Sequence, residues 1–130
     1  MTTSSTSTIS AASSSASSGV VAVSFAGPVA AGPYEDGLAA YIKGDHATAL
    51  RLWRPLAEQG FAGAQFFLGM MYVVGQDVPQ DYVTAHMWFD LAAAGGYKDT
   101  APRKAVEFLM TPAQIAEAQK LAREWKPAPP

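Results

Sequence analysis

From Tyr34 onward, apolar side chains recur every three to four residues, which is the period of α-helices with one buried face. Glycines and prolines divide this pattern into segments of helix length, and Asp or Thr residues precede several of them as N-cap candidates. We predict an all-α chain with six helices. They are expected at 34–43, from Asp45 to Gly60, at 62–74, from Asp81 to Gly95, from Asp99 or Thr100 onward with Pro102 in the first turn, and from Thr111 to Pro127.

A unit of two helices occurs twice in this pattern. Its second half repeats at a spacing of 36 residues, and its first half repeats at 31 because the second copy has five extra residues in a turn, Gln76 to Gln80. Constant spacing that changes only at turns indicates a solenoid of helical pairs. The matched positions are Tyr41 with Tyr72, Gly44 with Gly75, Asp45 with Asp81, Thr48 with Thr84, Ala49 with Ala85, Trp53 with Phe89, Ala57 with Ala93 and Gly60 with Gly96.

Small residues alternate with aromatic ones on the helix faces expected to meet. Alanine and glycine allow two helix backbones to approach closely, while a Trp or Tyr ring fills the space beside them. We therefore expect Trp53, Tyr72 and Trp88 to share one interior. The predicted buried stripes are Leu50, Trp53 and Ala57 in the first copy, and Ala85, Trp88, Phe89 and Ala92 against Leu68, Gly69 and Tyr72 in the second.

The two C-terminal helices are predicted to cap the array. The penultimate one carries Ala105, Val106, Phe108 and Leu109. Thr111 to Gln114 has the pattern of a capping box with proline at the first helical position. In the last helix one face is apolar and the other is charged, as a terminal cap requires. The apolar face is Ile115, Ala118, Leu121, Ala122 and Trp125, and the charged face is Glu117, Lys120, Arg123 and Glu124.

The N-terminal segment has a different character. Residues 1–18 are almost entirely Ser, Thr and Ala, a composition that predicts disorder. Residues 19–31 are apolar, too short for a stable membrane span, and end in small residues like a secretory signal, although no basic residue precedes them. We expect a periplasmic or secreted protein, with a cytoplasmic protein carrying an unstructured leader as the alternative. The predicted organisation is a leader at 1–31, a repeat domain at 32–126 and a proline-rich tail at 127–130.

Charge and chemistry favour a protein that catalyses nothing. The net charge of −2 lacks the basic footprint of a nucleic-acid-binding protein, and there is no cysteine for a disulfide or a thiolate. His46 and His86 are interpreted as surface or half-buried residues, since neither has the partners of a metal site. Asp45 and Asp81 are explained as helix caps. No catalytic, metal-binding or cofactor-binding residue is predicted.

The second copy carries a specific motif. Its pattern has the form A-x-x-x-L-G-x-x-Y-x-x-G, followed by V-x-x-D-x-x-x-A-x-x-W and a small-residue ending. The residues that carry it are Ala64, Leu68, Gly69, Tyr72, Gly75, Val78, Asp81, Ala85, Trp88, Ala92 and Gly95. This sequence resembles the Sel-one-like repeat, a relative of the tetratricopeptide repeat. The first copy, about 33–63, is degenerate: Pro33, Gly37 and Leu38 align with Ala64, Leu68 and Gly69 of the second copy, about 64–100.

The resemblance implies a right-handed superhelix of about two helical hairpins that serves as a scaffold for another protein or peptide, as in the short, often exported bacterial members. A cysteine-rich subfamily is linked to β-lactam binding or hydrolysis. Its disulfides are absent here, so a related hydrolase is only a remote alternative. A self-associating assembly subunit is the other alternative, and a homodimer is one way to stabilise an array of fewer than three repeats.

One predicted helix suggests a binding surface. Residues 62–74 are apolar on nearly every side, so either neighbouring helices cover the whole helix or one stripe is left open for a partner. Methionines suit adaptable surfaces of this kind. The candidate stripe is Phe67, Met70, Met71 and Val74.

Overall fold

The computed structural model describes residues 32–129, and it contains a helix at each of the six predicted places. These are α1 (Pro33–Ile42), α2 (His46–Glu58), α3 (Ala62–Val74), α4 (Tyr82–Ala94), α5 (Ala101–Glu107) and α6 (Pro112–Glu124). No strand occurs among residues 32–129, and the all-α prediction is confirmed. The predictions for the leader at 1–31, including disorder and a signal, lie outside the described residues.

The two repeated aspartates begin the second helix of each pair. Asp45 Oδ1 accepts a hydrogen bond from the Thr48 N–H at 3.2 Å, and Asp81 Oδ1 accepts one from the Thr84 N–H at 3.1 Å. The bonds from Thr48 hold the pKa of Asp45 below its ordinary value. Each carboxylate satisfies an amide that the first turn would otherwise leave without a partner.

The two C-terminal helices begin differently. The Thr111 hydroxyl accepts from the Gln114 N–H at 3.1 Å, and Gln114 Oε1 accepts from the Thr111 N–H at 2.9 Å, which completes the predicted capping box. At α5, Thr100 occupies the cap position but its side chain makes no capping bond. Asp99 does this instead, accepting from the Ala101 N–H at 3.1 Å.

Consecutive helices pack against one another from α1 to α4, and α4 then contacts both α5 and α6. Gly60 and Gly75 adopt left-handed φ values of 100° and 84° after α2 and α3, so the chain reverses between the helices. Helix α5 has only seven residues, and α6 packs on α4 as well. The result is two helical hairpins followed by a shorter C-terminal pair.

Two groups of side chains form the core. The predicted shared interior is confirmed: Trp53 and Trp88 are buried in one group, with Tyr72 partly buried against them. We call this the first cluster; its members are Ala49, Trp53, Ala57, Ala64, Leu68, Met71, Val78 and Trp88. The second cluster joins α3 and α4 to the C-terminal helices through Phe66, Ala85, Phe89, Ala92, Val106, Met110 and Ala118.

A glycine marks the closest approach within each hairpin. A Cβ on Gly69 would lie 2.7 Å from Phe89 Cε1, and a Cβ on Gly37 would overlap the Trp53 indole. Because Trp53 and Phe89 are equivalent in the repeat, Gly37 rather than Leu38 has the role of Gly69.

The end of α5 also differs from the prediction. Phe108 and Leu109 lie in a turn after Glu107 rather than on the helix, and they are 91% and 59% exposed. Pro112 disfavours helical backbone at the preceding residue, so the chain must leave the α5 helix before α6 can start. Met110, which is buried, anchors this turn in the second cluster.

The C-terminal segment returns to the first hairpin. The Trp125 ring meets the Trp88 ring edge to face, with centroids 6.3 Å apart. The Ala128 N–H donates to the Glu58 carbonyl at 2.6 Å. The tail predicted at 127–130 thus makes a backbone contact with the end of α2.

Candidate functional site

The four residues of the candidate binding stripe differ in their exposure. Met71 is fully buried in the first cluster, so its assignment to an open stripe was wrong. Phe67 is half-buried and stacks on Trp53, with ring centroids 5.0 Å apart. Met70 is half-buried, whereas Val74 is 56% exposed. Because α2 and α4 pack on α3 from two sides, only part of its apolar surface is left uncovered.

Met70 leads to an apolar cleft between α3 and α5. The cleft has a volume of about 310 Å³, and every residue that lines it is apolar. On α5 the lining residues follow helical spacing, so one face of this short helix forms a wall of the cleft. We call it the α3–α5 cleft; its lining is Met70, Val73, Pro102, Ala105, Val106 and Leu109.

The exposed turn extends the apolar surface beyond the cleft. Leu109 lines the cleft and is 59% exposed, and its neighbour Phe108 is 91% exposed. Large apolar side chains exposed together beside a concave apolar surface are typical of interaction sites. Sequence reasoning placed both residues on the penultimate helix and did not predict this surface.

A second concavity lies at the opposite end of the array. It has a volume of about 270 Å³ and is lined by Pro33, Tyr34, Glu35, Leu56 and Phe61. Tyr34 and Phe61 meet there edge to face, with ring centroids 4.9 Å apart. Its wall includes a carboxylate, and it contains no residue of the predicted stripe, so the α3–α5 cleft is the better candidate.

Directly behind the wall formed by α5 lies a group of charged side chains in which the imidazole is buried and its partners are partly exposed. We call it the ion-pair cluster; its members are His86, Asp90, Arg103 and Glu107. The His86 side chain is 1% exposed. Its Nδ1 lies 3.0 Å from Asp90 Oδ2, and its Nε2 lies 2.6 Å from Glu107 Oε2. Arg103 Nη1 donates to the other oxygen of Asp90 at 3.3 Å. The cluster thus links α5 to α4 at two points.

The two contacts of His86 define its charge. An ionised carboxylate only accepts hydrogen bonds, and a neutral imidazole has a single N–H to donate. Only the imidazolium form has an N–H on each ring nitrogen, so only this form donates to both Asp90 and Glu107. Burial by itself favours neutral imidazole, but the hydrogen bonds to Asp90 and Glu107 and their charges outweigh it and raise the pKa of His86 above its ordinary value.

The raised pKa sets the direction of a pH effect. Because folding increases the proton affinity of His86, its charged form stabilises the folded state fully below the unfolded-state pKa of about 6.5. That stabilisation is lost as the pH rises through the higher folded-state pKa.

The ion-pair cluster is closed to a substrate because the imidazole is buried. Its geometry therefore supports a structural link between α4 and α5 rather than catalysis.

The prediction that His86 is a surface or half-buried residue was wrong, since its side chain is 1% exposed. Asp90 follows it by one helical turn, and this spacing was visible in the sequence. Glu107 is 21 residues away and meets His86 only because α5 packs on α4. His46, by contrast, is half-buried against the Tyr41 ring, with centroids 4.6 Å apart.

Residues 32–129 contain neither a cluster suited to a metal ion nor a membrane-spanning helix. No group of three or more His, Cys, Asp or Glu side chains there has the arrangement of a metal site. None of the helices in this part of the chain is long and apolar enough to cross a membrane.

This protein is an α-helical repeat array. Its two helical hairpins have equivalent caps and equivalent close-approach glycines, and a C-terminal helical pair follows them. The family profile of the Sel1 repeat matches residues 29–61 and 62–97, more than half of the chain, and the chain belongs to the Sel1 repeat family. Sel1 repeats generally mediate protein–protein interactions. Neither the curated proteins nor the solved structures contain a match to this chain.

Proposed function

We propose that this protein is a non-catalytic scaffold or adaptor that binds a protein partner at the α3–α5 cleft. The observation that carries the proposal is an entirely apolar cleft whose rim continues into the exposed side chains of Phe108 and Leu109. Buried interface centres require such a surface, and a soluble monomer gains nothing from leaving it uncovered. The general role of Sel1 repeats supports the same function.

The size of the cleft and a positive charge beside it specify the partner further. A volume of about 310 Å³ is at the lower end for ligand pockets and suits one bulky apolar side chain. Lys104 precedes the lining residue Ala105, is exposed, and forms no ion pair with any residue in 32–129. The proposed partner segment therefore carries one apolar anchor with a carboxylate beside it.

The cleft is tested by selecting random peptides on the wild-type protein and measuring their affinity for two variants. Leu109→Glu places a charge in the cleft, and an apolar anchor should lose at least about tenfold in affinity because a charge would have to be desolvated on binding. The matched control is Ile42→Glu, since Ile42 is 82% exposed and does not line the cleft.

Peptides that bind both variants equally would place the interaction elsewhere. Peptides that bind without an apolar anchor would contradict the proposed partner chemistry. Lys104→Glu separates the charge contribution, because it should weaken binding mainly at low ionic strength.

We also propose that the protein works in the bacterial cell envelope. The support is the apolar segment at 19–31 with its small-residue ending, which resembles a secretory signal. N-terminal sequencing of the protein from its native host tests this. A mature chain that begins near Gly32 is expected, and a chain that still begins at residue 1 in the cytoplasm would contradict it.

Self-association is the second candidate function, and the exposure of Phe108 favours it. A side chain that is 91% exposed beside an apolar cleft could enter the cleft of a second copy across a two-fold axis. Light scattering at two concentrations distinguishes the candidates. A dimer that dissociates in Phe108→Ser supports self-association, and a concentration-independent monomer contradicts it.

A further inference from the structure

The wall of the cleft that α5 provides has few apolar anchors of its own. Helices of seven residues are not stable in isolation. Within α5 only Val106 is buried, and Met110 anchors the turn that follows. A further attachment is the ion-pair cluster, in which Arg103 and Glu107 reach Asp90 and His86 of α4. These two residues stand beside the lining residues Pro102 and Val106, so the position of the wall depends on the cluster.

We propose that the charge on His86 is a latch that holds α5 against α4. Loss of the His86 proton then releases α5, and the α3–α5 cleft opens because one of its walls moves away. The geometry that carries this is the placement of two carboxylate oxygens at 3.0 and 2.6 Å from the two ring nitrogens of one buried imidazole. A neutral ring donates to one carboxylate and turns a lone pair toward the other. The resulting repulsion is relieved when Glu107 moves away, and α5 moves with it.

The charged groups around His86 agree with a two-state latch. From α4 it faces Asp90, and from α5 it faces Glu107, with Arg103 behind Asp90. Helix α3 contains no Asp, Glu, Lys, Arg or His, and the charged residues of α6 are exposed. Within residues 32–129, none of those α6 side chains forms an ion pair with His86. The pH-dependent link between α4 and α5 is therefore the contact of His86 with Glu107, while the ion pair of Arg103 with Asp90 does not involve the His86 proton.

The test measures amide hydrogen exchange of the full chain at about pH 6 and about pH 9, as protection factors corrected for intrinsic exchange. The protection of α5 relative to α6 is expected to fall at least about tenfold as the pH rises. NMR titration of the His86 ring in the same samples should show that the loss follows deprotonation. Equal changes in the protection of α5 and α6 would overturn the proposal, and so would a loss of α5 protection while His86 is still charged. Either result is obtained from the wild-type protein without any variant.

Two matched variants separate a latch from a merely structural contact. In Glu107→Gln the introduced amide donates to neutral His86 Nε2 while His86 Nδ1–H donates to Asp90, so α5 should stay docked at both pH values. The control is Glu117→Gln on the exposed face of α6, which should keep the wild-type pH profile. A wild-type profile in Glu107→Gln would contradict the proposal.

The latch itself does not depend on the proposed function. Only its effect on partner binding rests on the proposal that a partner binds at the cleft. The selected peptides should bind more weakly at about pH 9 than at about pH 6 in wild type but not in Glu107→Gln. If α5 loosens with pH and no peptide binds at the cleft, the latch stands and the proposed function fails. If peptides bind at the cleft and α5 protection is independent of pH, the proposed function stands and the latch fails.

Discussion

At the scale of single residues, two glycines in α3 differ in what surrounds them. A Cβ on Gly69 would meet Phe89 Cε1 at 2.7 Å and the Ala85 carbonyl oxygen at 3.1 Å, and the backbone of α4 cannot move independently. A Cβ on Gly63 would meet the hydroxyl of Tyr34 at 2.9 Å, which is the far end of a half-buried side chain rather than helix backbone. Both glycines have helical backbone, so alanine is compatible with their conformation.

We expect Gly69→Ala to destabilise the protein by about 1–3 kcal/mol, because the added methyl group forces α3 and α4 apart in the second cluster. Gly63→Ala, the control on the same helix, should be less destabilising, because the end of the Tyr34 side chain gives way more easily than helix backbone and alanine favours helix over glycine. Urea unfolding of both variants measures the difference. Equal effects would show that the close approach at Gly69 does not determine the packing.

Side-chain contacts at this scale were predictable where they are local. The caps at Asp45 and Asp81 bond to residues three positions ahead, so the sequence indicates both partners. The contact between His86 and Glu107 was not predictable because it depends on how two helices pack. Met71 was misplaced for a related reason: periodicity cannot choose the open side of a helix that is apolar all round.

At the scale of elements, α5 and α6 both begin with a threonine followed closely by a proline, but the two threonines act differently. Thr111 caps α6 through its hydroxyl, while the Thr100 side chain makes no capping bond. The prediction left the α5 cap open between Asp99 and Thr100, and Asp99 makes the bond. These two N-cap threonines provide a matched pair for measuring the worth of the capping box.

We expect Thr111→Ala to cost about 1 kcal/mol of stability, since the first turn of α6 loses its side-chain acceptor. Thr100→Ala should be close to neutral. In a domain of this size, thermal unfolding should show a lower Tm by about 4–8 °C for the first variant and little change for the second. A large loss in Thr100→Ala would contradict the assignment of Asp99 as the effective cap.

At the scale of the whole molecule, stability requires more than the two repeats. Helix α6 covers α4, and Ala118 belongs to the second cluster together with Phe89. Trp125 packs against Trp88 of the first cluster, so α6 touches both parts of the core. The C-terminal pair therefore takes the place of a third repeat, which arrays of this kind need.

Removal of residues 111–130 is expected to abolish cooperative folding, because α4 would expose its apolar face to water. Far-UV circular dichroism and light scattering should show loss of helix or aggregation. The control removes residues 127–130 alone and loses the bond from Ala128 to Glu58, so its helix content should be close to that of the full chain. A shortened chain ending at residue 110 that unfolds cooperatively as a monomer would contradict this account.

The sequence by itself determined the six helices, their local caps, the repeat and its family, because each depends on residues a few positions apart or on a spacing that recurs. Only the tertiary structure decided that Gly37 is a close-approach position, that Met71 is buried, and that Phe108 and Leu109 are exposed. It alone brought Glu107 to His86 and formed the α3–α5 cleft. These features depend on which faces of separate helices meet, and packing fixes that after the helices themselves are specified.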